Sequence, residues 1–199
     1  MYNTTAVVMD DFIIKYISAY IELTPEEEDI IRNQNLIKPF PKDTVLLAEG
    51  EHARECYFVL KGCVRRYHII NGEERTTDFY TENQSIIPVS YSTKKPSEYF
   101  LSCVEDTVIA LGSNERNEEL IKQIPKLETM LVQMASEMQA QNQIEMDNFK
   151  NLSPEERYRN LTETRPDLLN RVPLNYIATY LGITPESLSR IRKRISRNR

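Results

Sequence analysis

Tryptophan, histidine and cysteine are scarce in this chain, and their scarcity limits the chemistry that it can support. The 199 residues contain no tryptophan, two histidines (His52 and His68) and three scattered cysteines (Cys56, Cys63 and Cys103). A metal-dependent enzyme built on a β-barrel needs several histidines and a carboxylate that converge from neighbouring strands. Three cysteines without a C-x-x-C pair suit reduced thiols better than a disulfide framework. We therefore expect ordinary loop and strand histidines, no metal and no cofactor.

Signals of several other protein classes are also absent. No apolar stretch reaches the roughly 18 uninterrupted residues of a membrane-spanning helix. Residues 1–11 carry no basic residue of the kind that begins a secretory signal. There is no glycine-rich phosphate loop and no nucleophile elbow. These absences predict a cytoplasmic protein that has no catalytic residues and does not contact a membrane.

Charge is distributed unevenly along the chain. The net charge is −5, but residues 1–150 contain 15 Lys and Arg against 25 Asp and Glu, whereas residues 151–199 contain 10 against 5. A basic segment attracts the phosphates of nucleic acids because it releases their condensed counterions. A basic terminus alone is weak support, since many solvated termini are basic. The excess is concentrated in a cluster at the end of the sequence: Arg190, Arg192, Lys193, Arg194, Arg197 and Arg199.

The first 124 residues predict helices followed by an antiparallel β-roll. Residues 9–20 have an amphipathic pattern, and Thr24 and Glu27 form a capping box at the start of a second helix. From about residue 44 to 113, short runs rich in Val, Ile, Tyr, Phe and Thr alternate with turn residues. Asn71-Gly72 is a strong hairpin signal. Strands at this spacing without intervening helices are typical of an antiparallel roll or sandwich.

A second two-residue turn is predicted at Lys61-Gly62. It would join two paired strands of one sheet. In that pairing Leu60 lies opposite Cys63 and Cys56 lies opposite Tyr67, so that Cys56 and Cys63 are not partners.

A long helix is predicted from about Pro125 to Asn148, after a short helix over residues 117–123. Its apolar residues are spaced by 4, 3 and 4 positions, as in the seam of a coiled coil: Leu127, Leu131, Met134 and Met138. Two interpretations are open: the helix lies on the core of its own chain, or it joins two copies of the chain into a homodimer. A palindromic DNA site would require the second.

The last segment, residues 151–199, predicts a helix-turn-helix. Ser153 and Glu156 form a capping box, so the chain breaks just before Ser153. Further on, one short helix ends at Gly182 and the next begins at Thr184, which is followed by a proline. The residues predicted to face inward from the two helices are Leu174, Ile177, Ala178, Leu181, Leu188, Ile191 and Ile195. Two short helices joined by a tight turn, the second with a basic outer face, form a helix-turn-helix.

The second of these helices carries the residues expected to contact DNA. Glu186 and Arg190 lie one turn apart, so Arg190 can donate two hydrogen bonds to a guanine while Glu186 accepts one from a cytosine and holds the arginine in place. The Thr184 and Ser187 hydroxyls suit phosphate contacts at the helix start. In isolation the Glu–Arg pair would be an ordinary helix ion pair of about 0.2–0.5 kcal/mol. The predicted DNA-binding residues are Thr184, Glu186, Ser187, Ser189, Arg190, Lys193 and Arg194.

This arrangement resembles the Crp/Fnr regulators over nearly the full length of the chain. The segment E-S-L-S-R, Glu186 to Arg190, looks like the E-x-x-S-R pattern of the Fnr branch, and Lys61-Gly62 followed by Val64-Arg65 resembles a signature of the family's roll. The resemblance implies that Glu186, Ser189 and Arg190 read a TTGA-type half-site. It also implies a transcription regulator that binds pseudo-palindromic double-stranded DNA as a homodimer and contacts RNA polymerase.

The expected fold class is α+β in three parts. Residues 1–124 form a jelly-roll-like antiparallel β-roll with flanking helices, which would act as a sensor domain. Residues 125–150 form the dimerisation helix, and residues 151–199 form a small DNA-binding helix-turn-helix domain.

The segment that would bind an effector departs from the family pattern. Cyclic-nucleotide members carry a Gly-Glu-Leu turn and then an Arg-Ser pair that binds the cyclic phosphate, whereas this chain has Glu98 and Tyr99 at the pair. A carboxylate facing a phosphate is unfavourable where an arginine would supply two charge-assisted bonds. We therefore do not expect cyclic AMP, nor the iron–sulfur cluster of other members, because no cysteine precedes Cys56. A pocket for an unidentified small-molecule effector is predicted at Ile87, Tyr91, Glu98 and Tyr99.

A second departure concerns the end of the sequence. The family follows its recognition helix with a β-hairpin wing, and here a truncated wing is expected, with the basic tail Arg192–Arg199 replacing part of its phosphate contacts. Two other kinds of protein are alternatives to a DNA-binding regulator. An enzyme on the same roll is disfavoured by the two histidines. A dimeric protein whose last domain binds another protein would differ in the weak salt dependence of its complex.

Overall fold

The computed structural model describes residues 4–197 and has the α+β class that the sequence predicts. Arg199, the end of the expected basic tail, lies outside the described residues. In chain order the elements are α1 (Thr4–Ser18), α2 (Pro25–Arg32), β1 (Ile37–Phe40), β2 (Val45–Leu47), β3 (Cys56–Lys61), β4 (Val64–Ile70), β5 (Glu73–Tyr80), β6 (Ser85–Ile86), α3 (Val89–Thr93), β7 (Phe100–Cys103), β8 (Thr107–Gly112), α4 (Asn114–Gln123), α5 (Lys126–Asn151), α6 (Pro154–Thr164), α7 (Leu168–Arg171), α8 (Leu174–Tyr180) and α9 (Pro185–Arg197).

Capping residues set the starts of several helices. At α2 the Thr24 hydroxyl accepts a hydrogen bond from the Glu27 N–H at 3.3 Å, and the Glu27 carboxylate accepts one from the Thr24 N–H at 2.7 Å. Ser153 and Glu156 form the same reciprocal box at α6. Both predicted boxes are confirmed, and each such cap stabilises its helix by about 1 kcal/mol.

The strands form two four-stranded antiparallel sheets that face each other across a shared core. Their orders are β1-β8-β3-β6 and β2-β7-β4-β5. The predicted hairpin at Asn71-Gly72 is confirmed, since β4 and β5 pair with Ile70 opposite Glu73. Asn71 has φ 55° and Gly72 has φ 80°, the two positive values that a type I′ turn requires.

The predicted pairing across Lys61-Gly62 is wrong. Strand β3 pairs with β6 and β8 in one sheet and β4 pairs with β5 and β7 in the other, so the chain crosses between sheets here. Gly62 is required for close packing and not for a hairpin: its φ is 103°, and a Cβ there would lie 2.6 Å from the Thr107 hydroxyl. Cys56 instead lies opposite Gly112. The expected opposite pairs that do not form are Leu60–Cys63 and Cys56–Tyr67.

Helix α5 packs on its own chain along part of its length. Leu127 and Met130 are each only 6% exposed, and Met134 is partly buried against the same cluster. Leu131 is 38% exposed, and Met138 is half-buried. The predicted seam is therefore buried against its own chain at Leu127 and partly at Met134, and it is exposed at Leu131.

The four last helices form a small unit, called the head here and comprising residues 153–197. Leu152, with φ −92° and ψ 141°, interrupts the helical backbone between α5 and α6. The buried apolar residues of the head belong to one cluster that also contains Cys63, Phe79 and Val104 of the roll. The division of the chain into domains at residues 124 and 150 stays a prediction. Among the described helices, none is long and apolar enough to cross a membrane.

Candidate nucleic-acid interface

A tight turn fixes α8 and α9 relative to each other. Gly182 has φ 71°, its N–H donates to the Thr179 carbonyl at 3.0 Å, and the Ile183 N–H donates to the Ala178 carbonyl at 3.0 Å. These two bonds and the left-handed glycine define a Schellman motif. The helix-turn-helix predicted around Gly182 is thus present in the structure.

The inner faces of the two helices pack into the head. Ile177 is 0%, Leu188 is 1% and Ile191 is 7% exposed. The expectation that Leu174 would be buried is wrong, because this side chain is 42% exposed. Leu174 is the first residue of α8, and Val172, two positions earlier, is 5% exposed and belongs to the buried cluster.

The start of α9 is capped as the sequence predicts. The Thr184 hydroxyl accepts a hydrogen bond from the Ser187 N–H at 3.3 Å. Thr184, Glu186 and Ser189 are exposed, and Ser187 is half-buried. Because the first N–H groups of a helix have no partner within it, this exposed end attracts anions such as phosphate.

Arg190 is held by a different residue from the one expected. Its guanidinium Nη2 donates to the Ser187 Oγ at 3.1 Å, whereas the sequence predicts Glu186 in this role. The pKa of Glu186 is lowered by a hydrogen bond from its own backbone N–H, by the nearby Thr184 hydroxyl and by the charge of Arg190. Glu186 is therefore a hydrogen-bond acceptor at neutral pH, and Arg190 is oriented from the helix start.

Arg194 faces the first turn of α6. It forms an ion pair with Glu155, whose carboxylate also contacts Arg159 at 2.9 Å. The two arginines, Arg159 first, lower the pKa of Glu155. An open groove of about 530 Å³ separates the starts of α6 and α9. Glu155 was not among the predicted site residues, because nothing in its local sequence indicates a contact 39 positions away.

The outer face of α9 as a whole is basic. Arg190, Lys193 and Arg194 are exposed, together with Arg192 and Arg197, against the single acidic residue Glu186 of the helix. The seven predicted DNA-binding residues therefore share one helix and its cap. Their arrangement offers a row of cations beside a helix start, which fits a polyanion better than a small neutral ligand.

The four predicted effector residues do not share one environment. Tyr91 and Tyr99 are 8% and 7% exposed in the core of the roll, whereas Ile87 is 44% exposed and Glu98 is on the surface. The Tyr99 hydroxyl accepts from the Val89 N–H at 2.9 Å, and the Tyr91 hydroxyl donates to Asn114 Oδ1 at 2.6 Å. A surface depression of about 420 Å³ lies between residues 46 and 57 and contains none of the four. Over the described part of the chain, no group of three potential ligands could hold a metal ion.

Known proteins share the architecture of this chain. Residues 37–124 match the family described as "Cyclic nucleotide-binding domain". A comparison with curated protein sequences finds no match. Among solved structures, the catabolite activator protein of Thermus thermophilus is 20% identical with a TM-score of 0.53, covering 90% of this chain and 86% of that one.

Two further solved structures extend over most of the chain. FixK2 from Bradyrhizobium japonicum is 18% identical with a TM-score of 0.64, covering 81% of this chain and 84% of its own. The global regulator CLP of Xanthomonas campestris, described as responsive to c-di-GMP, is 17% identical with a TM-score of 0.60, covering 81% and 86%. At these identities the likeness concerns the fold. Residues 37–124 thus match the cyclic nucleotide-binding domain family, and the chain has the overall fold of these regulators, as its resemblance to the Crp/Fnr family predicts.

Proposed function

We propose that the chain is a sequence-specific DNA-binding transcription regulator of the Crp/Fnr type. The observation that carries the proposal is the exposed basic face of α9, held at a fixed angle to α8 by the Gly182 turn. In this proposal α9 lies in the major groove. Arg190 donates to guanine, Glu186 accepts from cytosine and Ser189 completes the base contacts. Thr184, Ser187, Lys193 and Arg194 contact the phosphates.

The regulator acts as a homodimer joined through α5. Support comes from the side of α5 that its own chain leaves open, where Leu131 is 38% and Phe149 is 52% exposed, with Met138 half-buried between them. Positions 131, 138 and 149 fall on one side of an α-helix. Leu127 and Met134 take part mainly in the intrachain core. Two copies of the chain would place their α9 helices in successive major grooves, about 34–36 Å apart.

We also propose that the roll is the sensor domain of this regulator. Glu98 on the surface and Tyr99 in the core supply no cation for a cyclic phosphate, so the effector is a small molecule other than cyclic AMP. The proposed regulator works in the cytoplasm and contacts RNA polymerase, as the family resemblance implies.

The test is selection of bound sequences from a random DNA pool by the purified protein, repeated with Arg190→Ala and Arg192→Ala. Arg192 is an exposed arginine on another side of α9. Arg192→Ala therefore removes the same charge as Arg190→Ala without removing the proposed base contact. We expect a two-fold-symmetric site with a guanine in each half. Arg190→Ala should erase the preference at that guanine, worth about 1–3 kcal/mol, while Arg192→Ala should weaken binding equally for all sequences.

Two results would contradict the proposal. If low salt enriches no sequence, α9 does not read DNA. If the complex is insensitive to salt between about 50 and 200 mM, phosphate contacts do not drive binding, since a protein with several Lys and Arg contacts loses orders of magnitude in affinity over that range. The last domain would then bind a protein partner.

A further inference from the structure

The head is attached to the roll by more than the chain link at Leu152. Phe79 of β5 lies in the same buried cluster as Leu168, Ile177 and Leu188 of the head. Its ring meets that of Tyr180 at a centroid distance of 5.3 Å and an angle of 60°. Burying apolar side chains from both units in one cluster disfavours their separation, because parting them exposes that surface to water.

Two arginines of the head bind the roll. Arg171 Nη1 and Nη2 donate to the two carboxylate oxygens of Glu82 at 2.9 and 2.8 Å, and its Nε donates to Glu105 at 2.9 Å. Arg165 Nη1 donates to the Phe79 carbonyl at 2.8 Å, and its Nη2 donates to the Thr81 hydroxyl at 2.9 Å. Bidentate arginine–carboxylate contacts fix orientation as well as distance.

Further contacts lie along β4 and β5. The hydroxyl oxygens of Thr76 and Thr179 are 3.1 Å apart, and the Thr76 N–H donates to Thr179 at 3.2 Å. The guanidinium of Arg65, 3% exposed, lies 3.9 Å from the ring centroid of Tyr67 and 3.6 Å from that of Tyr176 in α8. Its cation is therefore stacked between one ring of the roll and one ring of the head.

We propose that Arg171 and Arg165 are positioning residues for DNA binding. They hold the head on its own roll, so that the angle of α9 is set by the roll and not by a flexible joint before Ser153. This inference rests on the proposed function. In a dimer, the attachment of each head to its own roll fixes the separation of the two recognition helices. The protein then discriminates between DNA sites by the spacing of their half-sites, because avidity is lost when geometry forbids simultaneous contact.

The test compares DNA sites that contain the selected half-sites at the selected spacing and at spacings lengthened by two and by four base pairs. The wild-type protein should prefer its own spacing by about 10²-fold or more. Arg171→Gln should reduce this preference by about tenfold, while the base preference within each half-site stays unchanged.

A matched control separates positioning from simple loss of charge or stability. Arg32 also has several acidic partners, Asp11, Glu28 and Asp29, but all of them lie in the N-terminal helices. Arg32→Gln should leave the spacing preference at the wild-type value. If Arg171→Gln lowers the melting temperature but keeps that preference, Arg171 is merely structural and the inference is overturned. A wild-type protein that selects no sequence would instead overturn the proposed function.

A cross-link gives a second, independent measurement. Thr76→Cys with Thr179→Cys would lock the head to the roll when oxidised, since their hydroxyl oxygens lie 3.1 Å apart. Combined with Arg171→Gln, the oxidised protein should regain the wild-type spacing preference and the reduced protein should not. If oxidation abolishes DNA binding, the attached position of the head is not the one that binds DNA, and the inference fails.

Discussion

The head presents two faces that use the same kind of side chain in opposite ways. On the face toward the roll, Arg165 and Arg171 are bonded to carbonyl, hydroxyl and carboxylate acceptors of the protein. On the outer face of α9, Arg190 donates to a serine hydroxyl, and within the described residues neither it nor Lys193 forms an ion pair with an acidic side chain. An arginine satisfied inside the protein fixes geometry, whereas one left to solvent is available to a phosphate or a base.

An apolar layer lies between the two faces. Ile177 and Leu188 are buried there with Phe79 of the roll. The outer face can therefore hold a fixed shape only if this layer and the contacts on the inner face remain intact. Substitutions should consequently differ in effect according to the face or layer that they occupy.

The largest effect on stability is expected in this layer. Leu188→Ala should lower the free energy of unfolding by about 2–5 kcal/mol, because it removes a side chain that is 1% exposed and leaves a cavity. Leu174→Ala on α8 is the matched control, with a side chain 42% exposed, and should cost less than about 1 kcal/mol. Urea denaturation measures both. Equal losses would mean that the head does not pack as described.

A smaller effect should distinguish the two faces directly. Arg171→Gln should lower the free energy of unfolding by about 1–3 kcal/mol, because it leaves Glu82 and Glu105 without their charged donor in a half-buried place. Arg190→Gln should change it by no more than about 0.5 kcal/mol, since Arg190 is exposed. Urea denaturation of the two variants measures both changes in the free energy of unfolding. A destabilising Arg190→Gln would erase the proposed division between faces.

The smallest effect concerns pH. Burial opposes ionisation of Glu82, but hydrogen bonds from Arg171 and from the Gly62 N–H outweigh it and lower the pKa below the ordinary 4.5. A lowered pKa makes the contact stabilising above pH 4.5, and the stabilisation is lost as pH falls through the folded-state value. The stability difference between the wild type and Glu82→Gln should therefore be constant from pH 7 to about 5 and shrink below pH 4.5. A difference that persists in acid would exclude this ion pair as its source.

Short-range features of the fold were predicted well. The capping boxes at Thr24 and Ser153, the hairpin at Asn71-Gly72 and the turn at Gly182 all occur where the sequence indicates. Each depends on residues within five positions of one another, where side-chain chemistry and allowed φ values act directly.

Features that depend on distant packing were predicted less well. A glycine at position 62 is compatible with a hairpin and with a crossing between sheets, and only the approach of Thr107 distinguishes them. A heptad spacing on α5 does not tell which of its apolar residues pack on the core of the same chain, and only the structure shows that Leu127 is buried there while Leu131 is exposed. Glu155 was missed for the same reason, because its partner Arg194 is 39 positions away.

The sequence by itself determined the order of roll, long helix and helix-turn-helix, the basic character of α9 and the identity of the side chains on its outer face. These follow from local periodicity, capping and the positions of charges along the chain. Only the tertiary structure decided that Arg165 and Arg171 face the roll, that Ser187 orients Arg190, and which side of α5 remains open. Such contacts join residues far apart in the sequence, and they form only when the two sheets and the head pack against each other.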